Sequence, residues 1–106
     1  MLKKEFRLRK KREFLELKEK GRKISSPLFG LVYLESEESK FGWIVSKKIS
    51  KKAVDRNKIR RRLAEAVKNN WIDGYKILFL VRSEILDKKL IEIESEWKKL
   101  RDILKK

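Results

Sequence analysis

Residues 47–62, KKISKKAVDRNKIRRR, hold nine Lys or Arg against a single Asp. From Lys52 the pattern continues to Trp71 as one helix with an apolar-leaning arc of Ile59, Leu63, Ala66, Val67 and Asn70. With Ile59 at zero on a helical wheel, Leu63, Ala66 and Asn70 fall within about 40°, while Arg60, Asn57 and Arg61 fall at roughly 100°, 160° and 200°. A solvated helix face normally mixes Glu with Lys, and pairs at i, i+4 relieve the repulsion. Here the acids are missing, and stacked cations destabilise the helix unless something anionic lies against them. A chain carrying this helix needs an apolar layer beneath it and an anionic partner above it.

The flanking segments can supply that layer. LFGLVYL (28–34) and FGWIVS (41–46) have the composition and length of strands, with the polar ESEESK between them read as a hairpin connection. YKILFLVR (75–82) is the most apolar strand, reached from the helix through IDG. Arg9–Lys20 reads as a helix with Phe14 and Leu17 at i, i+3 and Gly21 as its stop. Lys89–Leu104 reads as another, with Leu90, Ile93, Trp97, Leu100 and Leu104 on one stripe. Lys23–Ser26 can add a short strand before Pro27. Leu2–Leu8 is expected to be extended, and the termini are the expected frayed segments. The order αβββαβα in 106 residues predicts one α+β domain, a sandwich of helices on a mostly antiparallel four-stranded sheet.

The net charge is +15, and two segments account for all of it: Lys3–Lys23 with eleven cations against four Glu, and Lys47–Arg62. Concentrated charge of this kind attracts polyanions, of which nucleic acid is the commonest. Arg at 56, 60, 61 and 62 suits phosphate, because the guanidinium offers paired donors. Asn57 suits a base edge, a 2′-hydroxyl or a hydrated metal ion. His and Cys are absent, which excludes disulfides, thiol nucleophiles, imidazole bases and the usual zinc sites. No apolar run reaches signal-peptide or membrane-spanning length, so a cytoplasmic protein without a membrane partner is expected. The missing Gln, Thr and Cys beside abundant Lys and Glu fit a thermophilic source. Trp43 and Trp97 lie on apolar stripes and are expected in the core.

The stretch SKKISKKAVDRNKIRRRLAEA resembles the signature of the bacterial ribonuclease P protein family, approximately S-K-K-x-G-x-A-V-x-R-N-x-x-K-R-x-x-R-E. RLRKKREFLELKEKG near the N-terminus and DGYKILFLVR at the last strand extend the resemblance over nearly the whole chain. Lys47 and Lys48 match the paired lysines, Ala53 and Val54 the A-V pair, and Arg56 and Asn57 the central R-N. Arg60 stands where the family usually has Lys, Arg61 matches the next Arg, and Glu65 the closing acid. The family's last Arg is Ala64 here, so the role of that Arg is either missing or taken over by Arg62 or Lys68. One extra residue lies at 50–52, with Ser50 or Lys51 where the family favours Gly.

The resemblance implies a fold like one seen in a ribosomal protein domain, with an unusual left-handed crossover around the basic helix. It implies an accessory subunit of a tRNA-processing endoribonuclease in which the RNA carries catalysis and needs Mg²⁺. The protein, with no catalytic residue or metal of its own and monomeric by itself, would bind the ribonuclease P RNA and the 5′ leader of precursor tRNA. The RNA-binding residues expected are Lys47, Lys48, Lys51, Lys52, Arg56, Asn57, Lys58, Arg60, Arg61 and Arg62. For Lys10, Lys11 and Arg12 a phosphate contact and a solvated face weigh equally. Strand alternation places Phe29, Leu31, Tyr33, Phe41, Trp43 and Val45 in one core. The opposite, smaller set leaves a groove, and the resemblance gives its walls as Phe14, Lys18, Val32, Ile44 and Arg60. Burial of that face under a helix is the competing expectation. Two other functions fit the charge: a DNA-binding or ribosomal protein, and a self-sufficient nuclease, for which no base or carboxylate cage is evident.

Overall fold

The computed structural model describes residues 2–105. Four strands form one sheet: β1 (Arg22–Ser25), β2 (Phe29–Glu35), β3 (Lys40–Ile44) and β4 (Tyr75–Val81). Three α-helices accompany it: α1 (Lys11–Lys20), α2 (Ala53–Asn69) and α3 (Leu90–Lys105). The strand order is β1-β2-β4-β3. β1–β2 and β2–β4 are antiparallel, and β3–β4 is parallel. The α+β sandwich and its element order agree with the sequence reading; the hairpin does not. β2 and β3 do not pair, because the apolar β4 inserts between them and residues 36–39 pass its end. β3, α2 and β4 thus form a parallel crossover, the unit for which the resemblance implies a left hand.

Alternation along the strands gives the sheet two unequal faces. Phe29, Leu31, Phe41, Ile77 and Phe79 face α2 and α3 and join Ile59, Leu63, Val67, Ile93 and Trp97 in the main core. Trp97 is fully buried, its indole N–H donating to the Asn70 carbonyl at 2.8 Å. Asn70 ends α2 by donating from its amide to the Ala66 carbonyl and to Glu94. Trp43 is partly buried against the same core.

The other face packs Val32 and Leu78 against Leu17 of α1 and Leu8. Gly21 ends α1 as expected, but with φ −69°, so left-handed backbone is not its reason. A Cβ there would lie 2.4 Å from the Leu17 carbonyl oxygen and 2.7 Å from a Val32 methyl. The glycine permits close approach of chain to sheet. The N-terminal segment is not frayed over its described part. Leu2 and Leu8 are buried, Lys4–Phe6 forms a 3₁₀ turn, and Leu8 donates its N–H to the Phe41 carbonyl. This pairing covers part of the exposed edge of β3.

Candidate nucleic-acid interface

The basic loop before α2 is built by its own side chains. Ile49 is buried and anchors the turn, and its N–H donates to the Ser46 carbonyl. Ser50 accepts from the Lys52 N–H and donates its hydroxyl to Asp55 at 2.9 Å. Asp55 lies in the first turn of α2, where a carboxylate also favours the helix dipole. Arg56 closes the loop with a 2.8 Å bond to the Ser50 carbonyl. Among the described residues no non-glycine has positive φ. The extra residue at 50–52 is therefore accommodated without the glycine the family favours.

These bonds divide the expected RNA-binding residues. Arg62 donates at 2.7 Å to the Lys88 carbonyl and ties α2 to the segment before α3. Arg60 donates to the Asn57 side-chain oxygen at 3.0 Å, and the Asn57 amide N–H groups have no partner among the described residues. Lys47, Lys48, Lys51, Lys52, Lys58 and Arg61 are exposed, and none has an ion-pair partner among the described residues. Arg60 and Arg61 line a depression of about 420 Å³ with Val54 and Asn57; Val54 is 72% exposed. The guanidinium groups suit phosphates, to which they offer paired donors. Ala64, in place of the family's last Arg, is buried. Arg62 is engaged at the Lys88 carbonyl, and Lys68, one turn after Ala64, is exposed.

The expected groove is only partly where the alternation put it. Three rows cross the face that carries α1. Leu34, Lys76 and Lys40 form one row, Val32, Leu78 and Gly42 the next, and Gly30, Leu80 and Ile44 the last. The first two rows are covered. Glu13, itself buried, pairs with Lys40 at 3.2 Å and Lys76 at 3.6 Å. Its other oxygen accepts from the Lys10 N–H. Burial opposes ionisation of Glu13, but these hydrogen bonds and the two ammonium charges outweigh it and hold the carboxyl below its usual range. Lys40 is shifted up, chiefly by its hydrogen bond to Glu38 and further by Glu13, against the effect of burial.

Val32 is therefore not a groove wall: it is 3% exposed, sealed beneath Leu17 because α1 crosses the middle row. The last row stays open, with Ile44 at 44% and Leu80 at 39% exposed. Phe14 and Lys18 leave α1 on the flank opposite Glu13, roughly 60° and 100° from Leu17, toward this row. Phe14 is partly buried and Lys18 exposed. Arg60 belongs to the other layer, since α2 packs on the opposite face of the sheet. The open row and the loop bearing Lys47 and Lys48 lie at one end of the sheet, because β3 leaves it at Ile44.

Leu80 and Arg82 were missed in the sequence reading. The Arg82 guanidinium lies 3.9 Å from where a Gly30 Cβ would stand, over the open row. Extending the alternation of YKILFLVR through 76, 78, 80 and 82 would have found both.

The ribonuclease P family model matches residues 2–105. The chain belongs to the ribonuclease P protein family. It is 34% identical over a gapped alignment of 109 positions to the ribonuclease P protein component of Clostridium botulinum, covering 97% of this chain and 95% of that protein. To the component from Carboxydothermus hydrogenoformans it is 42% identical over 82 residues, 71% of this chain and 70% of that one. A solved ribonuclease P protein of Staphylococcus aureus, a mutant with defective mRNA degradation activity, superimposes with a TM-score of 0.85. That match has 26% identity and covers 94% of this chain and 88% of the other. The ribonuclease P protein of Thermotoga maritima shares the fold, with a TM-score of 0.80 at 23% identity, covering 90% and 94% of the two chains. Ribonuclease P membership places the chain in tRNA processing. No helix among the described residues is long and apolar enough to cross a membrane.

Proposed function

We propose that this ribonuclease P protein component binds the catalytic RNA of the holoenzyme through α2 and its preceding loop. It receives the 5′ leader of precursor tRNA on the open row of the sheet. The observation that carries the reading is the set of exposed cations from Lys47 to Arg61, none of them in an ion pair among the described residues. Folding alone gains nothing from that arrangement, whereas phosphates neutralise it and release counterions. Arg56 and Arg62 hold the loop and helix in position; Lys47, Lys48, Lys51, Lys52, Lys58 and Arg61 present charge, with Asn57 and Arg60 as a joined pair among them.

On the open row, Ile44 and Leu80 give an apolar floor, Phe14 one aromatic edge, and Lys18 and Arg82 cations for the leader's phosphates. The surface relies more on charge than on stacking. The RNA subunit performs the hydrolysis, and the Mg²⁺ requirement belongs to it. This chain's part is to lower the repulsion between phosphates that such a complex brings together.

Cleavage of a precursor tRNA by protein alone, RNA alone and both tests the reading. Stimulation only in the mixture is expected, with cross-linkers at Ile44 or Leu80 capturing leader nucleotides and cross-linkers at Trp43 capturing none. Cleavage by protein alone would restore the nuclease reading. Equal affinity for ribosomal RNA would restore a general RNA- or DNA-binding protein.

A further inference from the structure

A second feature on α2 lies outside both surfaces. Lys68 falls roughly 180° from Ile59 on the wheel, on the side of Asn57 and Arg61. It stands about 16 Å from Asn57 along the axis, at 1.5 Å per residue. Beside it is a pocket of about 400 Å³ lined by Leu2, Lys3, Phe6, Lys68, Trp71 and Asp73. The Phe6 and Trp71 rings are partly buried, and their centroids lie 5.0 Å apart at 77°. Phe41 braces the indole from the core at 5.0 Å.

The pocket is held from several sides. Leu2 is buried, and its carbonyl accepts from the Arg7 guanidinium at 2.8 Å. The Trp71 indole N–H donates to Asp73 Oδ1 at 2.6 Å, and the Ser39 hydroxyl donates to the same oxygen at 3.3 Å. The second Asp73 oxygen has no partner among the described residues. Two braced rings, a free acceptor and two exposed ammonium groups at the rim are the parts of a nucleotide site: stacking for the base, an acceptor for its N–H, and charge for its phosphate. A neutral apolar segment of protein would use the rings but leave Lys3 and Lys68 without partners.

We propose that this pocket takes one unstacked nucleotide of the RNA bound along α2, extending the interface past the C-terminal end of that helix. The site rests on the RNA-binding reading above and adds to it a specific contact at Trp71. Ultraviolet irradiation of the wild-type complex with the ribonuclease P RNA, followed by peptide mass spectrometry, tests it directly. A nucleotide adduct on Trp71 or Phe6 is expected. Trp71→Leu should weaken RNA binding at least about fivefold, the low end for removing one stacked base. Trp71→Phe should retain most of the affinity, and Lys68→Ala should reduce the salt slope by about one phosphate.

Adducts confined to other residues, with Lys68→Ala binding like wild type, would overturn the pocket. If Arg61→Ala still weakened binding in that case, the RNA-binding reading would stand without it. Absence of any RNA complex would overturn both. Should Trp71→Leu fail to fold, the wild-type adduct and Lys68→Ala decide the matter.

Discussion

Removing the Glu13 carboxylate should loosen α1 from the sheet. In Glu13→Ala, Lys40 and Lys76 are deprived of a partner at 3.2 and 3.6 Å, and the Lys10 N–H of its acceptor. Breaking a fully buried pair costs about 3–5 kcal/mol, but these ammonium groups are 19% and 16% exposed and Lys40 keeps Glu38 at 3.1 Å. Discounting for that access and adding about 1 kcal/mol for the helix-end bond gives about 2–3 kcal/mol. For a domain of this size the melting midpoint should then fall by roughly 10–20 °C. Glu13→Gln keeps an acceptor and should lose about half as much. Because the folded carboxyl titrates below its unfolded value, its contribution is complete above about pH 5 and vanishes as pH falls through the folded value. The gap between wild type and Glu13→Gln should therefore be constant from about pH 5 to 7 and narrow progressively in more acid solution. Thermal melts followed by circular dichroism read both effects. A midpoint shift under about 3 °C for Glu13→Ala, or a gap that widens in acid, would refute the reasoning.

Two further comparisons separate packing from charge. Gly21→Ala should cost about 1–3 kcal/mol in urea titrations through overpacking against Leu17 and Val32, while Gly30→Ala, whose nearest atoms lie 3.9 Å away, should be within about 0.5 kcal/mol of wild type. Arg61→Ala should flatten the salt dependence of RNA affinity by about one phosphate with unchanged stability. Arg62→Ala should instead lower stability by about 1 kcal/mol by removing its bond to Lys88 and leave the slope as it was.

What sequence made legible is what short-range chemistry decides. The apolar arc of α2, the stripe of α3, the alternation that sends Phe29 and Leu31 to one face and Val32 to the other, and the two basic segments all follow from local periodicity. The docked N-terminus was not legible, because Leu2 and Leu8 are single apolar residues among cations and gain their value only from partners distant in sequence, Leu2 in the main core and Leu8 against Leu17, Val32 and Leu78. Nor was Glu13, which reads as one of many surface acids in a Lys/Glu-rich helix until Lys40 and Lys76 arrive from two different strands. Arg56 and Arg62 look like their neighbours in sequence; only their bonds to the Ser50 and Lys88 carbonyls set them apart.

The open row shows why the same limit applies to function. The polar ESEESK between two strand-like segments is a sound local signal for a hairpin, and a hairpin would have set Ile44 beside β2. Insertion of β4 instead gives Ile44 the neighbour Leu80, and Leu80 the neighbour Gly30. Arg82, just beyond β4, then reaches over the glycine. Pairing β3 with β4 in parallel also requires a crossover rather than a turn, and that crossover is the cationic helix. Its loop leaves the sheet at Ile44, beside the uncovered row, and its far end at Asn69 leads into Trp71. One non-local pairing thus sets the uncovered row, the basic loop and the aromatic pocket along a single crossover.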